Sequence, residues 1–254
     1  MERIGRYEVV RKLGEGPNAE VFLCKDPARG AEAAVKRFRP GKLPPAAVAC
    51  AGKLAHPHIV AVHEAVAGGG AGHFASEYLA GGSLEASCRP QNLLPVEKAV
   101  EIAFKCSRAL AYAQQQGFAH GDLKPSNFLW ADASEVKIAD FGCASAEAPA
   151  YLSPEQARGE AAEERGDIYS LGVVLYQLLT GVMPFQGSSS AGILQQIASY
   201  DPPLPSTHRK EVPMAIDKIV RRAMHKDRER RFRNWAEFAK DLAAVFRGDR
   251  LARQ

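Results

Sequence analysis

Apolar and polar residues change their rhythm about a third of the way along the chain. Early on they form short runs bounded by turn chemistry. Residues 7–13, 19–25 and 32–38 are rich in apolar and β-branched side chains and predict three strands. Gly14-Glu15-Gly16-Pro17-Asn18 joins the first two and Asp26-Pro27-Ala28-Arg29-Gly30 the next two. Residues 59–65 and 73–77 complete an antiparallel sheet, with the glycine-rich stretch 68–72 read as a flexible hairpin loop. Pro44-Pro45 starts a short alanine-rich helix ending near Leu54. Later the period is helical. Across 95–116, Val96, Ala99, Val100, Ala103, Cys106, Leu110 and Ala113 share one face. Residues 167–180 are apolar nearly all round and stop at Gly181, which predicts a buried helix with a glycine cap. Further helices are expected over 190–199, 213–225 and 234–246, and short strands with a loop between Phe118 and Phe141. Strands followed by helices give an α+β order.

Composition narrows the class without naming it. The 254 residues suit one domain of two lobes, with 46% apolar and 24% charged residues, so disorder and collagen-like repetition are excluded. A net charge of +4 is too small to point to nucleic acid, and no nucleic-acid partner is expected. No uninterrupted apolar run is long enough for a membrane span, and Met1-Glu2-Arg3-Ile4-Gly5-Arg6 lacks the apolar run of a signal peptide. Five cysteines, none in a Cys-x-x-Cys pair, read as free thiols in a reducing cytoplasm ahead of metal ligands.

Three segments carry candidate chemistry. Gly14-x-Gly16-x-x-Ala19-x-Val21 lies between two strands, where glycine backbone can fold over a phosphate chain; a plain glycine hairpin fits as well. On the next strand, alternation puts Ala34 and Lys36 on one face, so a small residue could roof a base while the ammonium reaches phosphates. Taken alone, Lys36 reads better as a surface lysine. The third segment, His120-Gly121-Asp122-Leu123-Lys124-Pro125-Ser126-Asn127, is the most specific. Asp140-Phe141-Gly142 begins thirteen residues after the Asn. Carboxylate and amide oxygens at that spacing can share Mg²⁺, with Asp122 orienting a hydroxyl and Lys124 offsetting phosphate charge.

With these motifs the chain resembles the eukaryotic-type (Hanks-type) serine/threonine protein kinases, and its Asp-Leu-Lys-Pro-Ser-Asn wording is similar to bacterial members. Pro149-Ala150-Tyr151-Leu152-Ser153-Pro154-Glu155, Asp167-Ile168-Tyr169-Ser170-Leu171-Gly172 and Arg231-Phe232 extend the resemblance. It implies one bilobal kinase domain over 1–254, with an antiparallel sheet lobe to about residue 79 and a mainly helical lobe from about 80. It implies ATP between the lobes. Gly14 and Gly16 would cover the phosphates and Lys36 would touch them. Leu13, Val21, Ala34 and Leu129 would sandwich the base, and backbone groups of Glu77 and Leu79 would bond it, with the small Ser76 at the back of the pocket. Asn127 and Asp140 would hold Mg²⁺, and Asp122 and Lys124 would be catalytic. Glu155 and Arg231 are expected as a buried structural ion pair.

The chain also departs from the family. The helix acid that normally holds the strand lysine would fall on Ala47, and no Asp or Glu occurs from Ala33 to His63. Lys36 must then find another anion, Asp140, ATP itself or a partner, and Asp140 is the expected one when no nucleotide is present. Gly121 stands where an arginine grips a phosphorylated loop. Ten residues separate Gly142 from Ser153, and Glu147-Ala148-Pro149 replaces Gly-Thr-Pro. With Ser145 and Tyr151 the only hydroxyls before Ser153, activation is expected not to depend on phosphorylating this segment. The resemblance implies an ATP-dependent serine/threonine kinase acting on a protein substrate. The departures keep an alternative open, a pseudokinase that binds nucleotide or scaffolds and so regulates a partner protein.

Overall fold

The computed structural model describes residues 2–67, 72–143 and 148–252, with side chains as far as Val245. The glycine-rich stretch around 68–71, and Ser145 and Glu147 of the short segment before Ser153, lie outside the described residues.

A six-stranded antiparallel sheet forms the first lobe: β1 Arg3–Ile4, β2 Tyr7–Glu15, β3 Ala19–Asp26, β4 Ala31–Phe38, β5 Val62–Val66 and β6 His73–Glu77. The spatial order is β1-β2-β3-β4-β6-β5. On β4 the pleat does what the alternation predicts. Ala33 and Val35 are buried with Tyr7, Phe22, Cys24 and Ala75, while Ala34 and Lys36 turn to the other face. Opposite them on β6 stand Ser76 and Phe74.

Helix α1 (Pro45–Cys50) is the only α-helix described in this lobe and has just six residues. It has proline at its start, no side-chain cap and no acid in its first turn. So short a helix cannot stand on its own backbone bonds, and packing must hold it. Ala47 and Cys50 are buried, and the Cys50 thiol donates to the Phe141 carbonyl at 3.3 Å. Gly142 makes the approach possible. Its φ is +69°, and a Cβ there would come within 2.7 Å of the Ala47 nitrogen. Only glycine meets both demands. The helix stops at Cys50, short of the predicted end near Leu54, because the chain turns at Ala51 and Gly52 takes a φ of 72°.

The strand expected over 59–65 is also corrected. Its first residues pair across the lobes rather than within the sheet. The Val60 N–H donates to the Ile138 carbonyl, the Ile138 N–H donates to the His58 carbonyl, and Ile59 makes a parallel bridge to Ile138. An apolar run of this kind satisfies its backbone on whichever strand lies beside it, and here that is β8 of the second lobe. Regular sheet pairing starts only at Val62.

The second lobe is helical: α2 Val96–Gln115, α3 Pro154–Ala157, α4 Glu164–Thr180, α5 Ser190–Ser199, α6 Pro205–His208, α7 Met214–Ala223 and α8 Trp235–Ala252. The short strands β7 (Phe128–Trp130) and β8 (Val136–Ile138) form a separate two-stranded sheet. Helix α4 is buried almost throughout and runs through the middle of this lobe's core, with the apolar face of α2 packed on it. Strand β1 and the one-turn helices α3 and α6 have no counterpart in the sequence reading.

Candidate active site

The two lobes enclose a cleft of about 1000 Å³. Leu13, Gly14, Gly16, Val21, Ala34, Lys36, Glu77 and Leu79 line it from the sheet lobe, and Asp122, Lys124, Asn127, Leu129 and Asp140 from the other. Every residue expected from sequence to hold nucleotide or metal or to act in catalysis therefore lines one space. Ala47, Cys50, Leu54 and Phe74 line it too, so the space continues past Ser76 toward the short helix α1.

Lys36 pairs with Asp140 at 2.8 Å, the anion expected once the usual helix acid was missing. Burial works against both charges, yet their mutual attraction prevails. The Lys36 ammonium is held above its ordinary range and the Asp140 carboxyl below its own. Asp140 has a φ of 63°, the one described non-glycine residue with positive φ. Strain of this kind persists where the surroundings impose it, and it collects at functional sites.

The polar loop after α2 is built from backbone bonds. Asp167 of α4 accepts from the His120 and Gly121 N–H groups at 2.6 and 2.8 Å. Burial still pushes its carboxyl up to about 6. His120 reaches the Ala139 carbonyl through Nε2 at 2.8 Å and accepts from the Asp122 N–H through Nδ1 at 3.2 Å. That pattern makes Nε2 the protonated nitrogen, and burial lowers the imidazole to about 4. Lys124 pairs with Asp122 at 2.8 Å. Asn127 Nδ2 donates to the Asp122 carbonyl at 2.7 Å, which leaves the amide oxygen free of that bond. An amide oxygen and an aspartate are hard donors that suit Mg²⁺, which takes few protein ligands when phosphates supply the rest. Among the described residues, no three of His, Cys, Asp or Glu gather as a self-sufficient metal cage.

Cys143, directly after Asp140-Phe141-Gly142, is buried and its thiol is pushed up to about 12. It is a packed residue and not an activated nucleophile. Two contacts escaped sequence reasoning. Lys137 of β8 clasps both Glu77 carboxylate oxygens at 2.8 Å, and Glu77 Oε1 also accepts from the Ala61 N–H, so the segment joining the lobes is tied to β8. Gln156 of α3 donates to the Gly121 carbonyl at 3.1 Å. The Ser153-x-x-Gln156 capping-box pattern marks the start of α3 in the sequence but not this bond.

Residues 7–241 match the protein kinase domain. The chain belongs to the protein kinase family. It is 34% identical to serine/threonine-protein kinase PknB of Mycobacterium leprae over 275 residues, covering 96% of this chain and 43% of that protein. With PknB of Mycobacterium tuberculosis the identity is 33% at the same coverage, and with PrkC of Bacillus subtilis it is 31%, covering 97% of this chain and 41% of that protein. The chain thus spans less than half the length of these relatives. The family generally uses ATP and Mg²⁺ and acts on proteins. Among the described residues no helix is long and apolar enough to cross a membrane. The buried pair expected in the kinase helical lobe is present. Arg231 forks onto both Glu155 oxygens at 2.6 and 2.8 Å and also donates to the His225, Arg165 and Lys226 carbonyls.

Proposed function

We propose that this chain is the catalytic domain, over residues 1–254, of a cytoplasmic Mg²⁺- and ATP-dependent serine/threonine protein kinase, its lobes dividing near residue 79. The observation that carries the reading is the convergence of Lys36, Asp122, Lys124, Asn127 and Asp140 on one cleft between the lobes. Leu13, Val21, Ala34 and Leu129 sandwich adenine, and the Glu77 and Leu79 backbones bond its edge. The Gly14 and Gly16 backbone covers the phosphates. Lys36 leaves Asp140 for the α- and β-phosphates, which frees Asp140 to act with Asn127 as metal ligand. Mg²⁺ supplies charge neutralisation on the phosphates. Asp122 orients the protein hydroxyl and accepts its proton as oxygen attacks the γ-phosphorus and the bond to ADP breaks. Lys124, held beside Asp122, offsets charge on the transferred group. Positioning and electrostatics supply most of the acceleration in this chemistry.

The relatives' names favour phosphotransfer over a purely scaffolding role, since those proteins are called serine/threonine-protein kinases. The missing helix acid does not oppose it: Asp140 holds Lys36 in the cleft before nucleotide arrives, and the phosphates would hold it afterwards. Radiolabelled ATP with generic protein substrates tests the reading, with Asp122→Asn as control. Label transfer that the variant loses supports a kinase. Nucleotide binding without transfer in the unaltered chain would return the scaffold alternative.

A further inference from the structure

The loop that carries Asp122 turns at Gly121, where φ is 78°. Glycine enters that region without strain but brings no side chain to hold the turn. The turn is held from outside instead. The Gly121 N–H donates to Asp167. The next peptide, between Gly121 and Asp122, is gripped at both ends. Its N–H donates to His120 Nδ1 at 3.2 Å, and its carbonyl accepts from Gln156 Nε2 at 3.1 Å.

The orientation of the Gln156 amide is fixed by its other bonds. Its Oε1 accepts from the Ser153 N–H at 3.1 Å and from the Ser153 hydroxyl at 3.0 Å. A flipped amide would set donor against donor at Ser153 and oxygen against oxygen at Gly121. The Gln156 N–H in turn donates to Ser153 Oγ at 3.3 Å, so the side chain is locked at the start of α3.

We infer that Gln156 is a positioning residue for Asp122: by holding the Gly121 carbonyl it fixes the peptide whose rotation would swing the Asp122 side chain. This inference rests on the reading of Asp122 as the group that orients the substrate hydroxyl. Gly121 itself has no side chain with which to steady the loop. Because the same amide holds Ser153, the turn leading into α3 and the catalytic loop form one unit.

Gln156→Glu separates this role from helix capping. A carboxylate still accepts from Ser153, so the cap survives, but it offers Gly121 an oxygen in place of a donor. Gln156→Met removes the bond without adding charge. Both variants should speed hydrogen exchange at the Asp122 amide by about tenfold or more. Both should lower kcat roughly ten- to a hundredfold with the KM for ATP near that of the unaltered chain, the cost of a small misplacement. The thermal midpoint of Gln156→Glu should stay in place. Unchanged exchange at Asp122, or a kcat within about twofold of the unaltered chain, overturns the inference. So does an effect confined to Gln156→Glu, which would mark added charge, or a loss of kcat that merely follows a lowered midpoint. If the unaltered chain transfers no phosphoryl group, the kinase reading fails, and exchange at Asp122 still decides the role of Gln156.

Discussion

Two ion pairs of the same chemical kind do opposite work in this molecule. Glu155–Arg231 lies inside the helical lobe with side chains 2% and 0% exposed, while Lys36–Asp140 lies between the lobes with 21% and 33% exposed. Around Arg231 the donors are met by two carboxylate oxygens and three backbone carbonyls. An arginine so fully satisfied has nothing left to offer a ligand, and its fork fits the carboxylate geometrically. Lys36, a flexible point charge, has one close carboxylate and an open cleft beside it. The first pair can only hold. The second can exchange partners, and exchange is what the proposed nucleotide binding would require of it.

The largest effect should come from breaking the closed pair. Glu155→Ala or Arg231→Ala leaves an uncompensated buried charge, costing about 3–5 kcal/mol. In a domain of this size that lowers the thermal midpoint by roughly 6–20 °C. Thermal denaturation without nucleotide is the measurement. A midpoint close to that of the unaltered chain would place Glu155–Arg231 among pairs that contribute little.

Lys36→Met should do the reverse. A half-open pair adds at most about 1 kcal/mol to stability, so the nucleotide-free midpoint should move by less than about 4 °C. Phosphotransfer should nevertheless fall roughly a hundred- to a thousandfold, the usual cost of removing one preorganised group that meets developing charge. A midpoint drop as large as that of Arg231→Ala would erase the contrast between the pairs.

The motifs were legible because their chemistry depends on spacing along a single chain. Asp122, Lys124 and Asn127 occupy one loop, and alternation alone set Ala34 and Lys36 on the same face of β4. What spacing cannot carry is the choice of partner between distant segments. Residues 59 and 60 read as sheet because an apolar run looks the same whether it pairs with β6 or with β8. Nothing in the sequence around Lys137 points to Glu77, which lies opposite it in the fold. The partner of Lys36 was an exception, inferred by elimination because no acid occurs from Ala33 to His63. Gln156 was hidden for another reason: its capping pattern explains it so fully that a second bond, to Gly121, leaves no mark in the sequence.

Ligand binding should sharpen the contrast further. At a hundredfold excess over Kd, Mg²⁺ with ATP stabilises a folded protein by about 2.7 kcal/mol through mass action, a rise of roughly 5–11 °C here. Asp140→Asn should abolish the metal-dependent part of that rise, since it removes the carboxylate proposed to leave Lys36 for the metal. Differential scanning fluorimetry with and without Mg²⁺ gives the comparison. An undiminished Mg²⁺-dependent shift in the variant would take Asp140 out of the proposed metal site.

A smaller effect lies beside the cleft pair, where Asp167 holds the His120 and Gly121 backbone. Burial lowers the His120 imidazole to about 4, with the nearby charges of Asp140, Lys124 and Lys36 adding lesser effects of both signs. Burial raises the Asp167 carboxyl to about 6 against the pull of the Gly121 and His120 N–H groups, with Glu164 and Asp122 pushing it further up. The two act on stability with opposite sign. As pH falls from about 6.5 toward 4, an unfolded histidine takes a proton that folded His120 refuses, so stability is lost. As pH falls from about 6 toward 4, folded Asp167 takes a proton before its unfolded counterpart does, so stability is gained. Over that window the two contributions offset each other. Asp167→Asn removes the second and leaves the first. The variant should therefore lose stability, relative to the unaltered chain, by about 1.4 kcal/mol more for each unit of acidification between about pH 6 and 4. Urea unfolding of both proteins across that window gives the difference directly, because groups common to the two cancel. A difference that stays constant with pH would mean that Asp167 does not bind its proton ahead of the unfolded chain.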